Sequence, residues 1–212
     1  MSKSKVDQVA GDKIVPVGPI LIAAASSNEA TIIGVDFALR KMDRMHKDAI
    51  AARSKKHPLD ASVQAFMLGA DGKVVAESGF LFYGQPHYAG GVAELVPVGP
   101  FSRFHSTIRL RLGAVPEEVQ RIALVSSVHD TKHHHVGMFG VMTAYVCKGT
   151  LEPLGINVYR EFTRGHGAVV LGELSRVDGN WQFVSDGETV QGGLRELCGR
   201  YGVRLEEDEA KA

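Results

Sequence analysis

Residues 168–187, AVVLGELSRVDGNWQFVSDG, decide the fold. VDGN (177–180) sits between two strand-like runs, and its central Asp-Gly pair tolerates the positive φ that a two-residue hairpin turn demands. A turn this short joins antiparallel strands, because parallel neighbours need a long crossover. The same grammar recurs outward along the chain. STIRLRL (106–112) alternates cleanly, with Ile108, Leu110 and Leu112 on one face and Arg109 and Arg111 on the other. Ile122 to Val128 form an apolar run, and MFGVMTAYVCKG (138–149) reads as a strand with Val141, Thr143, Tyr145 and Cys147 on one face. INVYREF (156–162) continues the series.

Upstream, EATIIGVDFAL (29–39) is rich in β-branched residues, and KIVPVGPILIAA (13–24) carries Pro16 and Pro19, which suits an edge strand. LDASVQAFMLGADGKVVAESGFLFYG (59–84) predicts a hairpin, with GADG as the turn and KVVAE opening the return strand. Residues 84–102 are Gly-, Pro- and His-rich and predict loops with one short strand over 93–98. Two segments depart from this pattern. Residues 37–54 are dominated by Ala, Lys, Arg, Met and Asp and favour a helical insertion, stopped by His57-Pro58. GGLRELCGRYGV (192–203) spaces Leu194, Leu197, Cys198 and Tyr201 at i, i+3, i+4 and i+7, the mark of a short amphipathic helix. Nothing alternates strand and helix as a parallel sheet requires. The expected fold is all-β: an antiparallel β-sandwich closed by a short C-terminal helix. Residues 1–13 read as a flexible leader, 14–204 as one domain, and 205–212 as an acidic tail.

Composition narrows the function. The chain has 212 residues, with 24 Lys and Arg against 24 Asp and Glu, so it lacks the basic footprint of a nucleic-acid partner. The longest apolar run is too short and too interrupted to cross a bilayer, and the polar start carries no apolar signal core. Two cysteines far apart, Cys147 and Cys198, predict reduced, buried thiols. Charge is uneven locally: residues 40–56 hold seven Lys or Arg against Asp43 and Asp48.

The densest group of ligating residues is VHDTKHHHVG (128–137), with His129, Asp130, His133, His134 and His135. His129 and His133 at i, i+4 would face one metal on a helix, but Asp, Thr and Gly137 favour a turn, and no second Cys/His cluster of zinc spacing exists. A surface loop is the plainer reading. Ser126, Ser127, His129 and Asp130 are neighbours, but successive strand residues point to opposite faces, so they do not make a converging triad. There is no GxSxG elbow, no phosphate-binding loop and no EF-hand. By loop position Asp60, Asp71, Asp130 and Asp178 are the carboxylates available to a hard cation, with Asp71 and Asp178 also explained as turn formers.

Five stretches in order, LDASVQAFMLGADGKV with FLFYG, VPEEVQRIALVSSVHD, MFGVMTAYV, ELSRVDGNWQFVSDG and QGGLRELCGRYGV, are similar to the TerD-type tellurium-resistance and stress proteins over about 31–203. The resemblance implies a β-sandwich with a C-terminal helix, a bacterial cytoplasmic location, action through protein partners and no catalytic reaction. It also implies a calcium site. A D-L-D-A-S motif falls on PLDAS, where Pro58 replaces the first acid and Asp60 retains the second. An I-H-D motif falls on VHD, with Asp130 in the acidic place beside His129. The long acidic loop of the type GDNxTGEGDGDDE is replaced by AELVPVGPFSRFHS (93–106), which keeps Glu94 alone. Calcium takes six to eight oxygens, so high-affinity binding is expected to be lost and no cofactor is expected. The alternative is a divalent-metal sensor using Asp60, Asp130 and His129, with His133 and His135 as softer, zinc-like ligands.

Overall fold

The Asp178-Gly179 turn forms as the sequence predicts: φ is 48° and 76° at the two residues, and Val177 pairs with Asn180 across it. The computed structural model describes residues 19–22, 30–39, 61–96, 105–149, 152–159 and 162–205. The hairpin strands β11 (Ala168–Val177) and β12 (Asn180–Ser185) belong to a first sheet. Its order is β1 (Ile20–Ile22), β12, β11, β8 (Arg121–Val128), β3 (Ala61–Leu68) and β4 (Phe80–Leu81), with β13 (Thr189–Val190) also paired to β11. The second sheet runs β10 (Glu152–Tyr159), β9 (Phe139–Lys148), β2 (Thr31–Leu39), β7 (Ser106–Leu110), β6 (Ala93–Val96) and β5 (His87–Tyr88). Every pairing is antiparallel. β1, which directly follows Pro19, lies at an edge as expected of this segment.

The inner faces of the two sheets share one core, including Ile33, Val35, Val63, Ile108, Leu110, Ile122, Leu124, Met142, Trp181 and Phe183. β8 is buried on both faces: Ile122 and Leu124 join that core, while Ala123 and Val125 pack outward under the C-terminal helix (Gly193–Tyr201). This explains why β8 reads as a continuous apolar run rather than an alternating one. The helix sits where its spacing predicts, with Leu197 and Cys198 buried against Phe66, Leu68 and Val125 and with Leu194 and Tyr201 at the margin. Gly202, at φ 77°, ends it. Tyr159 crosses from one sheet to the other by donating its hydroxyl to the Leu171 carbonyl, and burial pushes that phenol well above its usual range.

Two expectations change, and a third is described only in part. Phe37, Ala38 and Leu39 remain strand, paired to Met142, Val141 and Phe139, so sheet pairing overrides helix propensity at the start of the 37–54 segment. Residues 40–60, which hold the rest of that segment, lie outside the described residues, as do 1–18 and 206–212. KVVAE does not open the return strand. Val74 makes a single bridge to Leu68 and gives its N–H to the Tyr201 carbonyl at 2.8 Å, so the helix end takes that donor. The pairing strand is Phe80–Leu81, opposite Phe66 and Ala65. The strand expected over 93–98 is found at Ala93–Val96, and 97–104 lie outside the described residues.

Candidate functional site

The register between β3 and β8 builds the site. Ala61 pairs with Val128 and Ser62 with Ser127, so the start of β3 lies against the end of β8. Ala61 and Ser62, the last two residues of PLDAS, therefore meet the VHD segment at one end of the first sheet. Across this seam Ser62 Oγ and His129 Nε2 are 3.0 Å apart. Gln64 Nε2 donates to Ser62 Oγ at 2.6 Å, and Ser127 Oγ donates to Gln64 Oε1 at 3.3 Å. Gln64 and Ser127 are buried, Ser62 is half-buried and His129 is exposed, so the network runs from the interior to the surface.

Aromatic residues line the same end. Phe66 stacks on Phe80 and Phe80 on Phe82, with centroids 4.6 and 4.9 Å apart. Tyr83 meets Phe82 edge-on and then His129, at 5.8 Å. Tyr83 is 73% exposed, the most exposed of the large apolar side chains among the described residues. A tyrosine in that position presents an apolar ring with a hydrogen-bonding tip to the solvent.

Asp130 opens a tight turn rather than a helix. Its carbonyl accepts the His133 and His134 N–H groups at 3.2 and 2.8 Å, and its Oδ2 lies 2.7 Å from His133 Nδ1. The three consecutive histidines diverge. His133 is exposed against Asp130, His134 is buried, and His135 is half-buried. Burial and the nearby Arg164 and His134 hold the His135 imidazole below its usual range, which keeps it neutral. Val136 N–H donates to His166 O at 2.8 Å, so His135 and His166 belong to adjoining loops. The Nδ1 atoms of His134, His135 and His166 are buried without a hydrogen-bond partner. The surface-loop reading therefore holds for His133 and not for His134.

The described members of the sequence-predicted ligand set engage separate partners. Among the described residues no group of three His, Cys, Asp or Glu side chains is placed to hold a metal ion. His129 faces Ser62, Asp130 faces His133, and His135 turns towards Arg164. Asp60, immediately before Ala61 in the chain, lies outside the described residues. Glu94 is engaged across the strands by Arg109, with Oε2 3.0 Å from Nη1. Asp71 Oδ1 accepts the Lys73 N–H at 3.0 Å, the turn role expected of it. Among the described acids, Asp71, Glu94 and Asp130 each have a carboxylate oxygen in a hydrogen bond or ion pair.

The serine–histidine–aspartate neighbours do not converge either. The Ser126 hydroxyl is fully buried without a partner, and Ser127 is bound to Gln64. What sequence reading missed is Ser62. The signal was present in outline: two strand segments whose pairing places residue 62 beside residue 129, once the register is known.

The TerD domain family model matches residues 21–201. The tellurium resistance protein TerD of Serratia marcescens is 28% identical over 190 residues, covering 86% of this chain and 92% of that protein. General stress protein 16U of Bacillus subtilis (strain 168) is 27% identical over 158 residues, covering 70% of this chain and 80% of that protein. A solved homologue of telluride resistance protein (TerD) from Streptomyces coelicolor A3(2) superposes with a TM-score of 0.57 at 14% identity, covering 84% of this chain and 99% of that one. At that identity the likeness is one of fold.

Proposed function

The chain belongs to the TerD domain family, and on that premise we propose that it serves a stress or tellurium-resistance response as a non-enzymatic binding module without a tight calcium site. The observation that carries this reading is the commitment of two acids to which the family resemblance points: Asp130 to His133 at 2.7 Å and Glu94 to Arg109 at 3.0 Å. A carboxylate with one oxygen already bonded to a cationic or imidazole partner has fewer lone pairs to offer calcium, which takes six to eight oxygens. The exposed Tyr83 beside His129 and the basic composition of the sequence at 40–56 support a role in meeting protein partners. A cytoplasmic setting is part of the proposal and is supported by sparse cysteine usage, with Cys147 and Cys198 both buried and far apart in the sequence. Among the described residues no helix is long and apolar enough to cross a membrane.

Affinity capture of the full chain from its native cell, with and without added calcium, tests the proposal. The expected result is one reproducible set of partners retained equally in both conditions. Retention only when calcium is present, or no partner in either condition, contradicts it.

A further inference from the structure

The hydrogen bonds around Ser62 run in one direction. Gln64 Nε2 is a donor only, so at 2.6 Å it makes Ser62 Oγ the acceptor. The Ser127 hydroxyl holds the amide in that orientation through Gln64 Oε1. Gln64 and Ser127 are 1% and 2% exposed, so this half of the network is locked inside the fold. Ser62 Oγ lies 3.0 Å from His129 Nε2, and in the imidazole tautomer with hydrogen on Nδ1 the Nε2 lone pair accepts the Ser62 proton. A hydroxyl within 3.2 Å of a free imidazole lone pair is the geometry of an activated nucleophile. Burial of the supporting groups fixes it, and the half-exposed position of Ser62 beside exposed His129 leaves it open to a reagent.

We propose that Ser62 is a nucleophilic modification site that accepts an acyl group from activated esters, with His129 as its general base. Ser62 Oγ forms a bond to the carbonyl carbon while its proton passes to His129 Nε2. The bond from that carbon to the leaving oxygen breaks, and the leaving group departs with the electron pair and takes the proton back from the imidazole. The products are an acyl ester on Ser62 and a free alcohol or phenol, with no change of oxidation state. The Gln64 N–H stabilises negative charge on Oγ as the proton leaves. The proposal stands apart from the binding-module reading, since an acceptor serine requires neither a partner nor a metal.

The test uses the full chain and p-nitrophenyl acetate near neutral pH, following nitrophenolate release and mapping the adduct by peptide mass. The expected product is an acetyl ester on Ser62, absent from Ser62→Ala and formed about 100-fold more slowly in His129→Gln. A second measurement covers loss of folding in either variant: Ser62→Cys is expected to alkylate with iodoacetamide faster than the buried Cys198 of the same chain. An unmodified Ser62 in a sample whose lysines are acetylated overturns the proposal. So does an equal rate on Ser62 in folded His129→Gln, or a Ser62→Cys thiol no faster than Cys198.

Discussion

Ser62 and His129 stand 67 residues apart in the chain and 3.0 Å apart in the fold. The β3–β8 register makes that contact, because Ala61 opposite Val128 brings two separate sequence segments to one sheet end. It also brings Ala61 and Ser62 of one segment that the family resemblance assigns to calcium beside Val128 and exposed His129 of the other. Among the described residues this sheet end carries a hydrogen-bond network that runs from buried Gln64 and Ser127 through Ser62 to exposed His129.

Arg176 and Trp181 clamp the far end of the same sheet. The guanidinium donates from Nε to Val119 O at 2.9 Å and from Nη2 to Val115 O and Pro116 O at 2.8 and 3.0 Å, and it lies 4.6 Å from the Trp181 ring centre. Trp181 Nε1–H donates to Leu112 O. Arg176→Ala is expected to lower stability by about 2–3 kcal/mol in urea unfolding, through lost charged hydrogen bonds and stacking. Arg176→Lys should recover less than half of that, since an ammonium cannot bridge three carbonyls and stack together.

The hairpin provides a contrast between two glycines. Gly172 sits at a β-bulge with φ 149°, where an added Cβ would lie 2.4 Å from the Val184 carbonyl oxygen. Gly179 in the turn has φ 76° and open space around it. Gly172→Ala should cost about 2–4 kcal/mol by steric displacement of backbone, and Gly179→Ala about 1 kcal/mol by conformational strain alone. Paired thermal or urea unfolding measures the difference. Equal losses would contradict the assigned geometry.

Glu188 and Arg200 form a two-pronged pair at 2.6 and 2.7 Å. The Arg200 hydrogen bond, opposed by burial and aided by the guanidinium charge, holds the Glu188 carboxyl below its usual range. A depressed carboxylate stabilises the fold above its unfolded pKa of about 4.3, and that contribution is lost as pH falls through the folded value. Both side chains are more than a third exposed, at 36% and 45%, so the effect is screened to below about 1 kcal/mol. Glu188→Gln should be less stable than the parent at pH 7 and equal to it at the acid end of a chemical-denaturation series. A gap that persists in acid would contradict the linkage.

Burial pushes the Cys198 thiol up to about 11, with Arg195 opposing weakly. The folded chain is expected to leave Cys198 unlabelled by maleimide at pH 8, with labelling only after denaturant. Leu197→Ala, which opens the fully buried seam beneath the helix, should cost about 2–5 kcal/mol and speed that labelling. Rapid labelling of Cys198 in the native parent would contradict the helix placement.

Local chemistry made much of this legible. Asp178-Gly179 announces its turn, and Leu194, Leu197, Cys198 and Tyr201 announce their helix, because each signal resolves within a few residues. Phe37 to Leu39 and Val74 were read wrongly because partners distant in sequence decide them: β9 keeps the former in strand, and Tyr201 O takes the N–H of the latter. The site follows the same rule. Asp130 and His129 were visible as ligand types, but their partners depend on the local turn and on the strand register. Ser62 and Gln64 carried no signal of their own until β3 met β8.

Calcium titration of the tag-free full chain by calorimetry tests the central claim most directly, because that claim is a site whose acids are already engaged. The account predicts no saturable heat at calcium concentrations below about 10⁻³ M. A dissociation constant in the micromolar range, removed by Asp130→Asn, would contradict it.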